Sequence, residues 1–314
     1  MRYYFAPMEG ITDSIYRRCH HQYFAGMDRY YMPFLSPTMH RTLTYKESRE
    51  LPMADSEPFV AIPQILTKIP EDFLWAAQVC QERGYGEVNL NVGCPSGTVV
   101  AKGKGAGMLR DAVQLDAFLD AVFAASPLPI SIKTRLGVEK PEEFPALLEV
   151  FNRYPIQELT IHPRVRKQFY SGGVDMELFR YAVEHSTNPL CYNGNLNSVA
   201  DIASFSEQYP QIEAVMLGRG LIGDPGMLAP GGTDREKLAQ FMGQLLEEYM
   251  EAFGGARNAM FRMKENWGFL RHRFVDNERL WKQLRKTTDV NEYRAITAEI
   301  FATLPLAEQL QADW

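Results

Sequence analysis

The stretch Glu87–Leu109 reads EVNLNVGCPSGTVVAKGKGAGML. It opens on a short β-like run, Glu87–Val92, rich in Val and Leu as a buried parallel strand should be. Gly93-Cys94-Pro95 then forces a sharp turn, and a glycine-rich loop follows. Seven further runs of this kind lie on either side: Tyr3–Met8, Arg29–Met32, Phe59–Leu66, Pro129–Thr134, Glu158–His162, Pro189–Asn193 and Ala214–Leu217. Amphipathic helical segments separate them, among them Glu71–Glu82, Asp111–Ala124, Asp175–Glu184 and Ser198–Gln208. Eight β/α alternations predict an α/β protein built as a (β/α)8 TIM barrel. A doubly wound sheet is the alternative that alternation alone leaves open.

A boundary falls in Asp224–Thr233, DPGMLAPGGT, where prolines and glycines break any helix. Residues 1–230 are thus expected to form the barrel and 231–314 an all-α unit. Thr233 is the expected N-cap of its first helix. Leu238, Phe241, Met242, Leu245, Leu246, Tyr249 and Met250 give that helix an apolar face, stopped by Gly254-Gly255. Further helices are expected near Met260–His272, Glu278–Arg285 and Val290–Thr303.

The 314 residues are 46% hydrophobic and 23% charged, with a net charge of −6. An acidic chain excludes a general basic coat for nucleic acid but leaves room for a local patch. Ala256–Lys286 carries nine basic and three acidic residues, with Trp267, Phe269, Phe274 and Trp281 interleaved. The plain reading is a solvated helical face over an aromatic core; the functional one is a platform for RNA phosphates. No apolar run reaches the roughly 18 residues of a bilayer span, and MRYYFAPMEG is too short and polar for a signal peptide. Cys19, Cys80, Cys94 and Cys191 show no CxxC spacing, which argues against a metal site or a disulfide framework and for a reducing cytoplasm.

Barrel enzymes place their chemistry at the C-terminal ends of the strands. Here those ends carry Pro7-Met8-Glu9, Gln64, Asn89 and Asn91, Lys133 and Arg135, His162 and Arg164, Asn193-Gly194-Asn195, and Gly218-Arg219-Gly220. The last two groups follow the seventh and eighth strands, where barrels bind phosphate, and Arg219 can pair with it. Lys133 lies mid-barrel, where an unpaired ammonium is costly. A reduced flavin is a suitable anionic partner, with His162 and Gln64 hydrogen-bonding its ring and ribityl chain. Cys94 could be a small buried hydrophobe. Its place in a turn right after a strand instead points the thiol at the barrel mouth, where a protonated Cys can donate a proton. Cys19, Cys80 and Cys191 read as packing residues.

At this point the chain resembles the tRNA-dihydrouridine synthase family. The matching motifs are Ala6–Asp13 (APMEGITD), Asn89–Ser96 (NLNVGCPS), Gly103–Leu109, Ser131–Gly137 (SIKTRLG), Thr160–Arg164 (TIHPR), Tyr192–Asn195 (YNGN) and Met216–Pro225 (MLGRGLIGDP). The resemblance implies an FMN-dependent enzyme that takes electrons from NADPH and reduces the C5=C6 bond of particular uridines in tRNA. It assigns Pro7, Met8, Gln64, Lys133, His162, Asn193, Gly194, Asn195, Gly218 and Arg219 to FMN, Asn91 and Arg135 to the uracil, and the role of acid to Cys94. The uridine must leave its stack to reach the barrel mouth. Hydride then arrives at C6, and Cys94 protonates C5 from the opposite face.

Three positions depart from the family pattern: Gly97 where a Lys is usual, Asn195 where an Asp is usual, and Pro163 in the sixth-strand motif. Lys102 and Lys104 are expected to take over the RNA contact missing at Gly97. Lys264, Arg271 and Lys282 are expected to hold tRNA phosphates, so that a barrel cut near Pro230 would keep its flavin and lose tRNA. A cytoplasmic monomer without metal or membrane contact completes the expectation. The rival readings are a flavin barrel for a small molecule, such as a dihydroorotate dehydrogenase or an ene-reductase, and an RNA-binding protein that uses the barrel only as a scaffold.

Overall fold

The structure is a computed structural model and describes residues 1–311; residues 312–314 of the expected helical unit lie outside the described residues. Nine strands form one parallel sheet: β1 (Arg2–Phe5), β2 (Arg29–Tyr31), β3 (Ala61–Ile62), β4 (Gln64–Ile65), β5 (Val88–Val92), β6 (Ile130–Arg135), β7 (Leu159–His162), β8 (Leu190–Tyr192) and β9 (Ala214–Leu217). Their spatial order is β3-β2-β1-β9-β8-β7-β6-β5-β4. The two end strands, β3 and β4, are consecutive in sequence and separated only by Pro63.

Pro63 has no N–H to give the ladder, so it breaks the expected run Phe59–Leu66 in two. Its carbonyl still accepts from the Asn89 N–H at 2.8 Å. The ring closes beyond β2, where Leu35 bridges Ile65: the Leu35 N–H donates to Gln64 O at 2.7 Å and the Leu66 N–H donates to Leu35 O at 2.8 Å. The result is the expected eight-stranded barrel, with its third strand bent at Pro63. A doubly wound open sheet is thereby excluded. β1 stops at Phe5 rather than Met8, which leaves Pro7–Gly10 as a loop over the barrel mouth.

Nine helices accompany the barrel: α1 (Ser14–Tyr23), α2 (Tyr45–Glu50), α3 (Pro70–Glu82), α4 (Gly97–Val100), α5 (Ala112–Ala125), α6 (Phe144–Phe151), α7 (Met176–His185), α8 (Val199–Gln208) and α9 (Arg219–Gly223). Asp111, Asp175 and Ser198, read as first helical residues, are the N-caps. Their side chains accept the first free N–H groups of α5, α7 and α8. Four more helices follow: α10 (Arg235–Phe253), α11 (Ala256–Leu270), α12 (Glu278–Lys286) and α13 (Val290–Thr303). Gly254 ends α10 at φ 66°, a left-handed position suited to glycine. The expected Thr233 cap is corrected: the Thr233 hydroxyl is drawn off to Asp224, and the Asp234 carboxylate next in line accepts from the Lys237 N–H at 2.7 Å.

The helical segment is not an appendage. Its Phe241 ring meets Tyr16 and Phe24 of the barrel's first βα unit edge-on, at centroid distances of 5.5 and 5.2 Å. Tyr249 donates to Asp13, the cap of α1, at 2.9 Å, and Arg262 of α11 lies 3.8 Å from the same carboxylate. One apolar core runs through both parts. A barrel cut near Pro230 would uncover Tyr16 and Phe24, which Phe241 covers. Phe241→Ala is predicted to cost about 3–5 kcal/mol. Denaturant unfolding followed by Trp fluorescence and circular dichroism should give one transition; a barrel that outlasts the helices would contradict this packing.

Candidate active site

The barrel's C-terminal mouth holds a cavity of about 370 Å³, within the usual range for a ligand pocket. Pro7, Met8 and Glu9 reach it from the β1–α1 loop, Gln64 from β4, and Asn91 and Cys94 from β5 and its turn. Lys133, Arg135 and His162 line it from β6 and β7. Asn193, Gly194, Asn195, Gly218 and Arg219 complete the far side. Lys102, Lys104, Lys264, Arg271 and Lys282 do not line it.

A chain of carboxamides fixes the cysteine turn. Asn89 Nδ2 donates to Ser131 Oγ at 2.9 Å, Gln64 Nε2 donates to Asn89 Oδ1 at 2.7 Å, and Asn91 Nδ2 donates to Gln64 Oε1 at 2.7 Å. The free acceptor of Asn91, Oδ1, then takes the backbone N–H groups of Gly93 and Cys94 at 3.1 and 2.9 Å. Arg135 Nε donates to Gly93 O at 3.0 Å, and the Ala106 N–H donates to Cys94 O at 3.1 Å. A Cβ on Gly105 would lie 2.9 Å from the Cys94 Cβ, so the glycine-rich loop packs directly beneath the thiol. Burial raises the Cys94 thiol above its ordinary pKa; the Ser96 backbone N–H, Arg135 and Lys133 pull the other way without reversing it. The thiol is therefore protonated at neutral pH.

The cavity is strongly cationic. Lys133, Arg135, Arg164 and Arg219 line it against one acid, Glu9, which Lys46 already holds at 2.7 Å. Lys133 has no hydrogen-bond or ion-pair partner among the described residues, and burial, with repulsion from Arg135, brings its ammonium down to about 7. Arg164 fixes the state of His162: its Nη1 lies 3.0 Å from His162 Nε2. A guanidinium can only donate, so Nε2 accepts and the ring proton sits on Nδ1. Burial, followed by the surrounding cations, holds His162 well below its ordinary value, so the imidazole is neutral.

Arg164 Nη2 also donates to Gly172 O at 2.6 Å and to Asn195 Oδ1 at 3.1 Å. Arg219 Nη2 approaches the same Asn195 oxygen at 3.5 Å. The unusual Asn195 thus serves as a neutral acceptor between two arginines. Asn193 Nδ2 donates to Met216 O at 2.7 Å and ties the β8 end to β9. Gly194 is required sterically, because a Cβ there would collide with the Tyr192 ring and hydroxyl.

Phe169 and Tyr170 were not legible as site residues. They rim the cavity from the loop after β7, 44% and 42% exposed. The Tyr170 ring lies 4.7 Å from the Arg219 guanidinium and 5.4 Å from that of Arg135. Their signal was an aromatic pair a few residues past a polar strand end. The basic segment is partly structural. Trp267 and Phe274 are core residues. Arg262 is engaged by Asp13 and Glu265, Arg273 by Asp224, and Arg279 by Glu299. Lys264 donates to Thr287 O, and Arg271 stacks 5.6 Å from the Trp281 ring. Lys282 is exposed, as are Arg257, Arg285 and Lys286. Among the described residues no cluster of three or more His, Cys, Asp or Glu could hold a metal, and no helix is long and apolar enough to cross a membrane.

The fold resembles solved barrels of low sequence identity. An old yellow enzyme homologue from Zymomonas mobilis superposes with a TM-score of 0.51 at 12% identity, over 71% of this chain and 86% of that one. A 2-naphthoyl-CoA reductase gives 0.53 at 11%, over 72% and 49%. At such identity the likeness shows the fold alone. In sequence, tRNA-dihydrouridine synthase B of Pasteurella multocida (strain Pm70) is 30% identical over 226 residues, 71% of this chain and 67% of that protein. A probable tRNA-dihydrouridine synthase 1 of Synechocystis (strain PCC 6803) is 27% identical over 96% of this chain and 86% of its own length. The family model for dihydrouridine synthase (Dus) matches residues 4–311. With the match running from the first strand past the last helix, this chain belongs to the dihydrouridine synthase family.

Proposed function

We propose that the protein reduces the C5=C6 bond of uridines in tRNA to 5,6-dihydrouridine, with FMN in the barrel mouth and NADPH as reductant. The observation that carries the reading is the pairing of a protonated, turn-locked Cys94 with a partnerless Lys133 in one cationic cavity. Bound FMN would supply a hydride carrier between the nicotinamide and the base.

The residues present fit that group. Lys133 would meet the negative edge of a reduced flavin, which would offset the cost of an ammonium held inside a barrel. His162 presents Nδ1–H as a neutral donor. Gly194, Gly218 and Arg219 would take the phosphate, with Asn195 setting the Arg219 side chain. Pro7, Met8, Gln64 and Asn193 would complete the walls around the ring and ribityl chain. Gln64 already spends both ends of its carboxamide on Asn89 and Asn91, so its part is to hold the cysteine turn as well as the ligand.

On the substrate side, Asn91 and Arg135 stand beside Cys94 and would orient the uracil. As charge develops at C5 and O4, the Cys94 thiol gives its proton to C5, a transfer worth about 10²–10⁴-fold from a placed acid. The resulting thiolate is stabilised by Arg135 and Lys133. Phe169 and Tyr170 exclude water from the rim. A flipped base alone gives little binding energy, so phosphate contacts must hold the rest of the RNA. Lys102, Lys104 and Lys282 would make them; Arg271 would contribute from its stack on Trp281, and Lys264 only by giving up Thr287. We place the enzyme in the cytoplasm, where its tRNA substrate is.

Cys94→Ala is predicted to keep FMN and NADPH oxidation while dihydrouridine formation in tRNA falls by at least about a hundredfold. Measuring flavin absorbance, NADPH consumption and dihydrouridine content on the same preparation checks this; wild-type modification by the variant would remove Cys94 as the acid. A second prediction concerns proton linkage. Lys133 is near 7 when unpaired, and an anionic flavin raises it, so FMN affinity is flat below pH 7. It then falls by up to about tenfold per pH unit as pH rises beyond that value. Anaerobic titration of the FMN-free protein with reduced FMN across pH 7–9 should show the decline, and Lys133→Met should abolish it. An affinity that is constant over this range in the wild type would show that Lys133 does not face the flavin's charge.

A further inference from the structure

Arg166 stands at the cavity rim on the loop after β7, half-buried and outside the cavity itself. Its backbone is pinned: the N–H donates to Gly137 O at 2.9 Å and the carbonyl accepts from the Phe169 N–H at 3.0 Å. Its Nε donates to Pro95 O at 3.2 Å, one residue beyond the catalytic cysteine, and its guanidinium lies 5.1 Å from the Phe169 ring. One side chain therefore joins the cysteine turn to the aromatic rim. Nη1 and Nη2 find no acceptor among the described residues. A guanidinium held by Nε alone presents its two outer amino groups as a fork, a match for the paired oxygens of a phosphodiester.

Gly97 keeps that fork open. A Cβ there would lie 3.9 Å from Arg166 Nη2, with nothing else within 4 Å, so the glycine leaves the space beside the outer edge of the guanidinium open. The next cations along the rim follow α4, which starts at Gly97. The Lys104 N–H donates back to Val99 O at 3.2 Å, and Lys104 Nζ donates to Ser36 Oγ at 3.3 Å. Lys68 Nζ lies 3.3 Å from the Cβ position of Gly103.

We infer that Arg166 grips a backbone phosphate of the RNA strand beside the target nucleotide, and that this strand runs over Gly97 and α4 toward Lys104 and Lys68. The inference rests on the tRNA-reducing function proposed above. It makes the missing side chain at position 97 a condition for the arginine's work rather than a lost contact. The base inserts into the cavity while its own backbone is held within reach of the acid, so one fixed guanidinium sets both the cysteine turn and the strand above it.

Binding of unmodified tRNA across a salt series, measured without NADPH, tests this independently of turnover. Arg166→Gln keeps an amide donor for Pro95 O but removes the charge. It should weaken tRNA binding about tenfold, flatten the salt dependence by about one charge, and show its loss in KM for tRNA rather than in kcat. Adding Gly97→Lys to this variant should recover most of the affinity. Gly97→Glu in the otherwise unaltered protein should mimic the loss by capping the fork, and it carries the test if Arg166→Gln does not fold with its flavin. Wild-type binding and salt slope in both Arg166→Gln and Gly97→Glu would overturn the inference. So would a fall in kcat with binding unchanged, which would leave Arg166 as a prop for the cysteine turn. A wild-type protein that binds tRNA without reducing it would refute the proposed function and leave the binding comparison intact.

Discussion

Asn91 accepts two backbone N–H groups of the cysteine turn with one oxygen, while its nitrogen is tied through Gln64 and Asn89 to Ser131 in the barrel wall. Each link joins neighbouring strands, β4 to β5 and β5 to β6, so the turn inherits the rigidity of three strands at once. Had these carboxamides been apolar, Gly93 and Cys94 would carry unsatisfied N–H groups in a half-buried turn, at about 1–3 kcal/mol each. The barrel interior is therefore polar along β4–β6, while Tyr4, Tyr31, Ile62, Cys191 and Met216 close it with a small apolar cluster of their own. The price in hydrophobic contact is met outside the ring, where the strands face a continuous apolar layer under the helices.

The same mouth concentrates like charge. Four cations line one cavity, and the thiol, the imidazole and the lysine are all held neutral or nearly so by burial. Such a site works against stability until an anion arrives, and it is tolerated where function requires it. The helical segment helps to hold it. Asp13 caps α1 directly after the loop carrying Met8 and Glu9, and it is itself held by Tyr249 and Arg262. The segment with a surplus of basic residues is thus anchored to one wall of the cavity by buried polar contacts. The remainder, on α12 and at the start of α11, faces outward.

Much of the barrel was legible because its strands are short, apolar and broken by turn residues, and because polar residues recur at one end of each. Apart from Asn89, the strand-end residues that this regularity singles out line the cavity. The break at Pro63 was less visible, since a single proline inside a long apolar run reads as one strand until closure of the ring demands a bend. Thr233 looked like a cap because sequence cannot show that Asp224 competes for its hydroxyl. Tyr170 and Arg166 were hidden for a different reason: they sit on a loop whose path over the cavity depends on Arg164 and Gly172, contacts between residues that carry no periodic signal. Composition alone does not show the pairing within the basic segment: four of its nine cations are spent on carboxylates and carbonyls of the fold, and two of its four aromatics are core.

The account stands on one reaction at one site. Its most direct test is mass analysis of nuclease fragments from an unmodified tRNA transcript incubated with the purified protein, FMN and NADPH. The account predicts a gain of two hydrogens at a defined uridine, dependent on NADPH and absent with free uridine. NADPH consumption driven by a free pyrimidine or an enone, with no mass gain anywhere in the RNA, would contradict it.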